Sequence, residues 1–478
     1  MAGGPPQLVA EVSLSFGNAA WSRDERISFV AVREGKAELL TEIDVKSGAS
    51  RVIVEAKAAF EGYENVAVTP DDSWLLLDGW VGTGVDDYRV MSVDRASGAI
   101  EILLENASNP CAVGDDFLVF QRGASLFAMR FDFRERRALG EARMVVPGVA
   151  TDRWGGSSQF AVSAEGTLVF APGKRRGEGR RIVWCNPDGS VEPLVDGVDA
   201  FPGHFQLSAD GTRLMISTLR EREELWTYDL IGRGMTPVIA GEFYGAVLAP
   251  AGDSVFYGVN TGTLREVRRA PVVGGTHELI WTGRLVPECL SADGKTLLLT
   301  NEAADSNGNK VDIVQLDLTR KPPELAAVIA TPAAESQARL SPDGRWLAYG
   351  SDSSGRDEVY LRAWPGGGRD WKLSSDGGSV PRWSADSSTL YYLEDVRLMA
   401  VPLERSGTGA TAQVKVGAAR EILTDISFAE TESFEIGNDG RVARVELADW
   451  ERAEARLEVV VGWLEELRRT LPMGEARR

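Results

Sequence analysis

Residues 340–361 read LSPDGRWLAYGSDSSGRDEVYL, and residues 383–403 repeat the plan as WSADSSTLYYLEDVRLMAVPL. In each, an apolar residue and a small residue lead into an Asp. An apolar, β-rich run then begins, and after a polar loop a second alternating run follows. The Asp can accept from backbone N–H groups two residues on, and a following Gly takes positive φ without a Cβ clash, so the short segment reads as a tight turn between two strands.

Degenerate copies of this anchor occur at WSRDERISFV (21–30), VTPDDSWLLL (68–77), VGDDFLVF (113–120), VSAEGTLVF (162–170), LSADGTRLMI (207–216), LAPAGDSVFYG (248–258), LSADGKTLLL (290–299) and IGNDGRVARV (436–445). With the two quoted first they make ten units at a spacing of about 40 to 55 residues, the period of propeller blades. Each unit offers four short strands and almost no helical periodicity. One such sheet cannot bury both faces, whereas a ring of them can.

The expected fold is therefore all-β: a β-propeller of about ten four-stranded antiparallel blades over residues 1–463, with a short helix and tail at 464–478. QLVAEVS (7–13) looks like a closing fourth strand, and the last unit lacks one after RLEVVVGW (456–463). Pairing of the two would close the ring and hide two sheet edges. Two smaller propellers in tandem are the alternative. LEELRRTLP (464–472) reads as an amphipathic helix with Leu464, Leu467 and Leu471 on one side, stopped by Pro472.

The anchors, the run SQFAVSAEGTLVFAPG (158–173) followed by RRIVWCNPDGSVEPL (180–194), and the ending LEVVVGWLEELRRTLP (457–472) resemble the TolB-like, WD-repeat-related propeller repeats of bacteria. In particular they resemble the propeller region that follows the catalytic domain in many bacterial eukaryotic-like Ser/Thr kinases. That resemblance implies a sensor or scaffold role, with a kinase or another signalling protein as a partner. The kinase chemistry is not carried over, because no Gly-rich phosphate loop, strand Lys or catalytic-loop Asp is present in the chain.

Composition narrows the partners. The chain of 478 residues has 71 acidic and 52 basic side chains, a formal charge of -19, so a nucleic acid would meet a repulsive mean field. No apolar stretch approaches the ~18 residues of a membrane span, and MAGGPPQLVAEV is not a signal peptide. The chain as it stands reads as cytoplasmic, or as periplasmic or otherwise extracytoplasmic if it belongs to a membrane-anchored protein. Cys111, Cys185 and Cys289 are too few and too scattered for a disulfide framework or a thiolate metal site. No G-x-S-x-G elbow or H-E-x-x-H pair occurs, and the only histidines are His204 and His277. The acidic anchor residues are read as turn formers, not metal ligands, and no cofactor is implied.

What remains is a binding surface. The residue three before each anchor hydrophobe stands where the chain enters the innermost strand of its blade. In order these are Asn18, Asn65, Pro110, Gln159, His204, Gly245, Pro287, Gln337, Val380 and Ser433, six of them polar. Glu288, Arg339, Arg382 and Glu435 add charge at the same level. As a ring these positions would line a channel mouth able to hold a protein, a peptide or a polar small ligand, with Arg339 and Arg382 gripping a carboxylate. The competing reading is that the polar side chains satisfy backbone groups of the neighbouring blade. A non-enzymatic binding or scaffold module is the leading expectation. A lyase or hydrolase acting in the channel and a structural subunit of a larger assembly are the alternatives.

Overall fold

The computed structural model describes residue 8 and residues 14–471, apart from internal segments of which 32–38, 56–61, 197–203, 303–310, 425–433 and 447–455 are the longest. Its strands form ten antiparallel sheets, nine of four or five strands and one of three. The anchors are turns as expected. The carboxylates of Asp210, Asp343 and Asp386 each accept from the backbone N–H two residues on, at 3.0, 3.2 and 2.9 Å. Gly211 and Gly344 take φ of +69° and +67°. The second strands are apolar because both sheet faces are covered: every residue of Trp346–Ser351 is buried, while the outermost strand Glu324–Ile329 is mostly exposed.

The chain folds as two compact units, residues 1–178 with 449–478, and residues 179–448. In the second unit the innermost strands lie beside one another in the order Phe205–Leu207, Tyr244–Leu248, Leu285–Leu290, Glu335–Leu340, Ser379–Trp383 and Phe434–Ile436, and the last is again beside the first. Six apolar cores fill the six seams of this circle. The seam that closes it packs Ile182, Ala443 and Val445 on Phe205, Leu214 and Ile216. The first unit has four sheets and, among the described residues, three such cores.

The ten sheets are divided between two units, six in the second and four in the first, and the chain path through the fourth and tenth repeats makes that division. Each is split. The hairpin of Phe160–Val162 and Leu168–Phe170, the first half of the fourth repeat, pairs through Leu168–Phe170 with Glu458–Val460 from the tenth. The hairpin of Phe434–Ile436 and Val442–Glu446, the first half of the tenth, pairs through Val442–Glu446 with Arg181–Cys185 of the hairpin that Val191–Pro193 completes from the fourth. The 270 residues from Gly179 to Ala448 are in effect inserted into the first unit, so the two units are nested in sequence and not in tandem. The expected partner of the last strand, residues 7–13, lies outside the described residues except for Leu8.

The helix is present as Trp463–Thr470, with Trp463, Leu467 and Leu471 buried in the core shared by Phe117, Leu126 and Leu168.

Candidate functional site

Three of the strand-entry residues, Asn18, His204 and Gln337, are clasps between sheets. Asn18 Oδ1 accepts from Val66 N–H at 2.8 Å, and Gln337 Oε1 accepts from Val380 N–H at 2.8 Å. His204 Nε2 lies 3.0 Å from Ala246 O, and Gln206, which the entry pattern did not pick out, accepts from Leu248 N–H at 2.8 Å. Each side chain meets a backbone group of the next inner strand, which is the competing reading of these positions. Gln159 is exposed, and its backbone N–H donates to Ala150 O at 2.9 Å. Ser433 lies outside the described residues.

The four charges at this level are joined in pairs. Arg339 reaches Glu288 Oε2 at 3.3 Å, and the other Glu288 oxygen accepts from Thr300 Oγ1 at 2.7 Å. Arg382, only 5% exposed, donates through Nε to Glu435 Oε1 at 2.9 Å and through Nη1 to Pro381 O at 3.1 Å. The two arginines are therefore held by separate acids of this unit and are part of its packing, in contrast to the jointly open grip expected of them.

Asn65 leads to a group that the entry pattern did not reveal. Its backbone N–H and its side-chain amide donate to the two oxygens of Asp78 at 2.7 and 3.0 Å, and Asn109 N–H adds a third bond. Asp78 is fully buried in the strand Trp74–Trp80 and, among the described residues, makes no ion pair. Burial, with Glu64 close by, pushes its carboxyl up to about 7. Glu64 in turn accepts from Tyr88 Oη at 3.1 Å. The signal was in the sequence: WLLLDGW (74–80) puts one Asp inside an otherwise apolar strand. The same unit buries Glu42 among Arg26, Arg51 and Arg95 at 2.9, 2.8 and 2.7 Å. There burial opposes the charge, but the bonds from these arginines hold the carboxylate below its ordinary range.

Metal and thiol chemistry find little support. Among the described residues no group of three or more His, Cys, Asp and Glu is arranged to hold a metal ion. The three cysteines are free thiols, and burial pushes Cys111 up to about 11, which leaves it a poor thiolate at neutral pH. His277 Nδ1 is engaged by Tyr257 Oη at 2.7 Å.

An open groove of about 490 Å3 lies at the seam that closes the second unit's circle. Its apolar floor is Trp184, Leu194, Leu207 and Leu230, and Ile231 stands on the rim with 79% of its surface exposed. The rim carries both signs of charge. Arg441 lies 4.8 Å over the Trp184 ring and donates to Asp439 at 2.7 Å, while Arg233 holds Asp196 at 3.1 Å. Asn438 Nδ2 donates to Ala209 O at 3.1 Å, tying the anchor turns on the two sides of the seam together.

No family model matches the chain, and no curated protein does. Among solved structures it is similar to TolB from Acinetobacter baumannii, at 16% identity over 71% of this chain and 80% of that one, with a TM-score of 0.34. It is also similar to the β-propeller domain of the Trilobed protease from Pyrococcus furiosus, at 10% identity over 87% and 98%, TM-score 0.32. A third likeness is to oligogalacturonate lyase from Vibrio parahaemolyticus, at 12% identity over 74% and 90%, TM-score 0.29. These are likenesses of propeller fold, and they assign no activity to this chain. Among the described residues no helix is long and apolar enough to cross a membrane.

Proposed function

We propose that the chain is a non-enzymatic double β-propeller, a closed six-bladed unit inserted in a four-bladed one, and that it serves as a binding module for a peptide segment of a protein partner. One observation carries the choice of site: the 490 Å3 groove at the closing seam of the second unit, with an aromatic and aliphatic floor under a rim of both charges. That volume falls in the range of ligand sites, and a mixed floor and rim suits an apolar side chain flanked by polar backbone and charge. The strand-entry ring is less suited to this role, since Asn18, His204, Gln337, Glu288, Arg339 and Arg382 already hold their neighbours.

The test is selection of peptides from a random display library on the full chain, followed by titration of the enriched sequences. The Trp184→Ala variant is expected to weaken them about tenfold, about 1.4 kcal/mol, with its melting transition kept. Enriched peptides that bind wild type and variant equally would remove the groove from consideration. A second reading has its own support: among the described residues Arg382 Nη2 is buried and has no hydrogen-bond partner, so an acceptor oxygen of a ligand would satisfy it.

A further inference from the structure

A second opening in the second unit, of about 670 Å3, has a different chemistry. It lies where residues 331–334, arriving from the strand Glu324–Ile329, pass over the start of the inner strand Glu335–Leu340. Its wall includes Thr331, Glu335, Tyr349, Asp352, Tyr360 and Asp370, and none of its lining residues is Lys, Arg or His.

The carboxylates here are not evenly neutralised. Asp370 is: Arg362 holds it with two bonds of 2.6 Å. Glu335 is not. It is 1% exposed, its bonds come from the Thr331 hydroxyl and, at 3.4 Å, the Thr331 N–H, and among the described residues it makes no ion pair, the Arg362 charge acting on it only through space. Asp352 accepts from Ala334 N–H at 2.8 Å and likewise makes no ion pair. Asp312, on the adjoining sheet, has a buried Oδ1 with no hydrogen-bond partner among the described residues. Burial pushes the Glu335 carboxyl upward, and the charges of Asp312 and Asp352 add to it. A buried carboxylate with like charges beside it is stabilised by any cation that reaches it. Beside these acids the Tyr349 and Tyr360 rings stack at 5.7 Å with 25° between their planes. Aromatic faces next to carboxylates favour a cationic head on an aliphatic stem, which inorganic cations do not carry.

We infer that this opening binds an organic cation, a primary ammonium or guanidinium group, with its head between Glu335 and Asp352 and its stem along Tyr349 and Tyr360. The inference is independent of the groove at Trp184, and either can fail without the other.

The experiment is calorimetric titration of the full chain with 1,5-diaminopentane, N-acetyl-lysine amide and N-acetyl-arginine amide, with N-acetyl-norleucine amide as the uncharged control. Saturable binding of at least one cation and none of the control is expected. The diamine alone binding would point to a free amine as the natural ligand, and the capped amino acids binding would point to a protein side chain. Glu335→Gln keeps the volume and one of the two acceptors for Thr331 and is expected to weaken the cation about tenfold. Should that variant fail to fold, Asp352→Asn on the exposed rim is expected to weaken it about threefold. No saturation up to ~10 mM with any cation, a control that binds as well as lysine amide, or affinity unchanged in a folded variant overturns the inference.

Discussion

Two acids on inner strands of the second unit, and Asp78 in the strand Trp74–Trp80 of the first, are neutralised differently. In the second unit Glu288 is matched by Arg339, and Glu435 by Arg382. In the first, Asp78 receives three N–H groups, from Asn65 and Asn109, and no ion pair. Amide donors stabilise a carboxylate less than a guanidinium does, so full burial lifts Asp78 toward neutrality. The units differ equally in connectivity: the six-sheet circle is one continuous stretch of chain, while the four-sheet unit needs both chain ends.

The connectivity difference predicts the largest effect. Residues 179–448 alone carry all six seams of their circle and are expected to melt in one cooperative transition. Residues 1–178 alone lack the strand Glu458–Val460 and the buried Trp463 and Leu467, so the core of Phe117, Leu126 and Leu168 stays open. That fragment is expected to show no cooperative transition until 449–478 is fused to it. Cooperative melting of 1–178 by itself would show that the last strand and helix are dispensable, and with them the nested arrangement.

Asp78 gives the next effect. Its pKa of about 7 stands above the ordinary 3.8, so between these values the folded chain holds a proton that the unfolded chain has lost. The stability tied to Asp78 is therefore full below about pH 4, falls by about 1.4 kcal/mol per pH unit, and is gone above pH 7, a total of about 4 kcal/mol. Paired acids such as Glu42, held below their ordinary range, act in the opposite direction at low pH. The clean measurement is thus the difference in urea stability between wild type and Asp78→Asn across pH 4 to 8. A difference that does not change with pH would mean that Asp78 is ionised throughout.

Much of this architecture could be read from the repeat. The ten anchors, their turns, the four-strand plan and the C-terminal helix all follow from local chemistry, because a hairpin pairs residues close in sequence. The exchange of halves between the fourth and tenth repeats could not be read in the same way. The pairs Leu168 with Val460 and Arg181 with Glu446 span the chain, and the anchor phase is identical whichever hairpins share a sheet. The candidate site divides along the same line. Entry residues such as Asn18 and Gln337 were found because the repeat places them, but their partners are backbone groups 48 and 43 residues away. Asp78 was visible as an Asp in WLLLDGW, though its donors, Asn65 and Asn109, belong to strands that only the fold brings together. The opening at Glu335 is built from an inner strand, a loop and the faces of two tyrosines, and no spacing rule links them.

The smallest effect tests whether the clasps differ between units as the acids do. Gln337 Oε1 takes the N–H of Val380, which is itself buried in the core of Cys185, Leu393 and Phe434. Cutting Gln337 to Ala leaves that N–H in an apolar seam with no acceptor, at a cost of about 2 kcal/mol. Asn18, in the first of the first unit's four sheets, takes the N–H of Val66, which is buried as well, but the Asn18 side chain is exposed where Gln337 is half-buried. Water can replace the lost carbonyl there, and Asn18→Ala is expected to cost about 0.5 kcal/mol. Chemical denaturation with equal slopes for both variants separates the two values. Equal losses would mean that water reaches both clasps alike, and the closed circle of the second unit would then have no drier seams than the first unit's sheets.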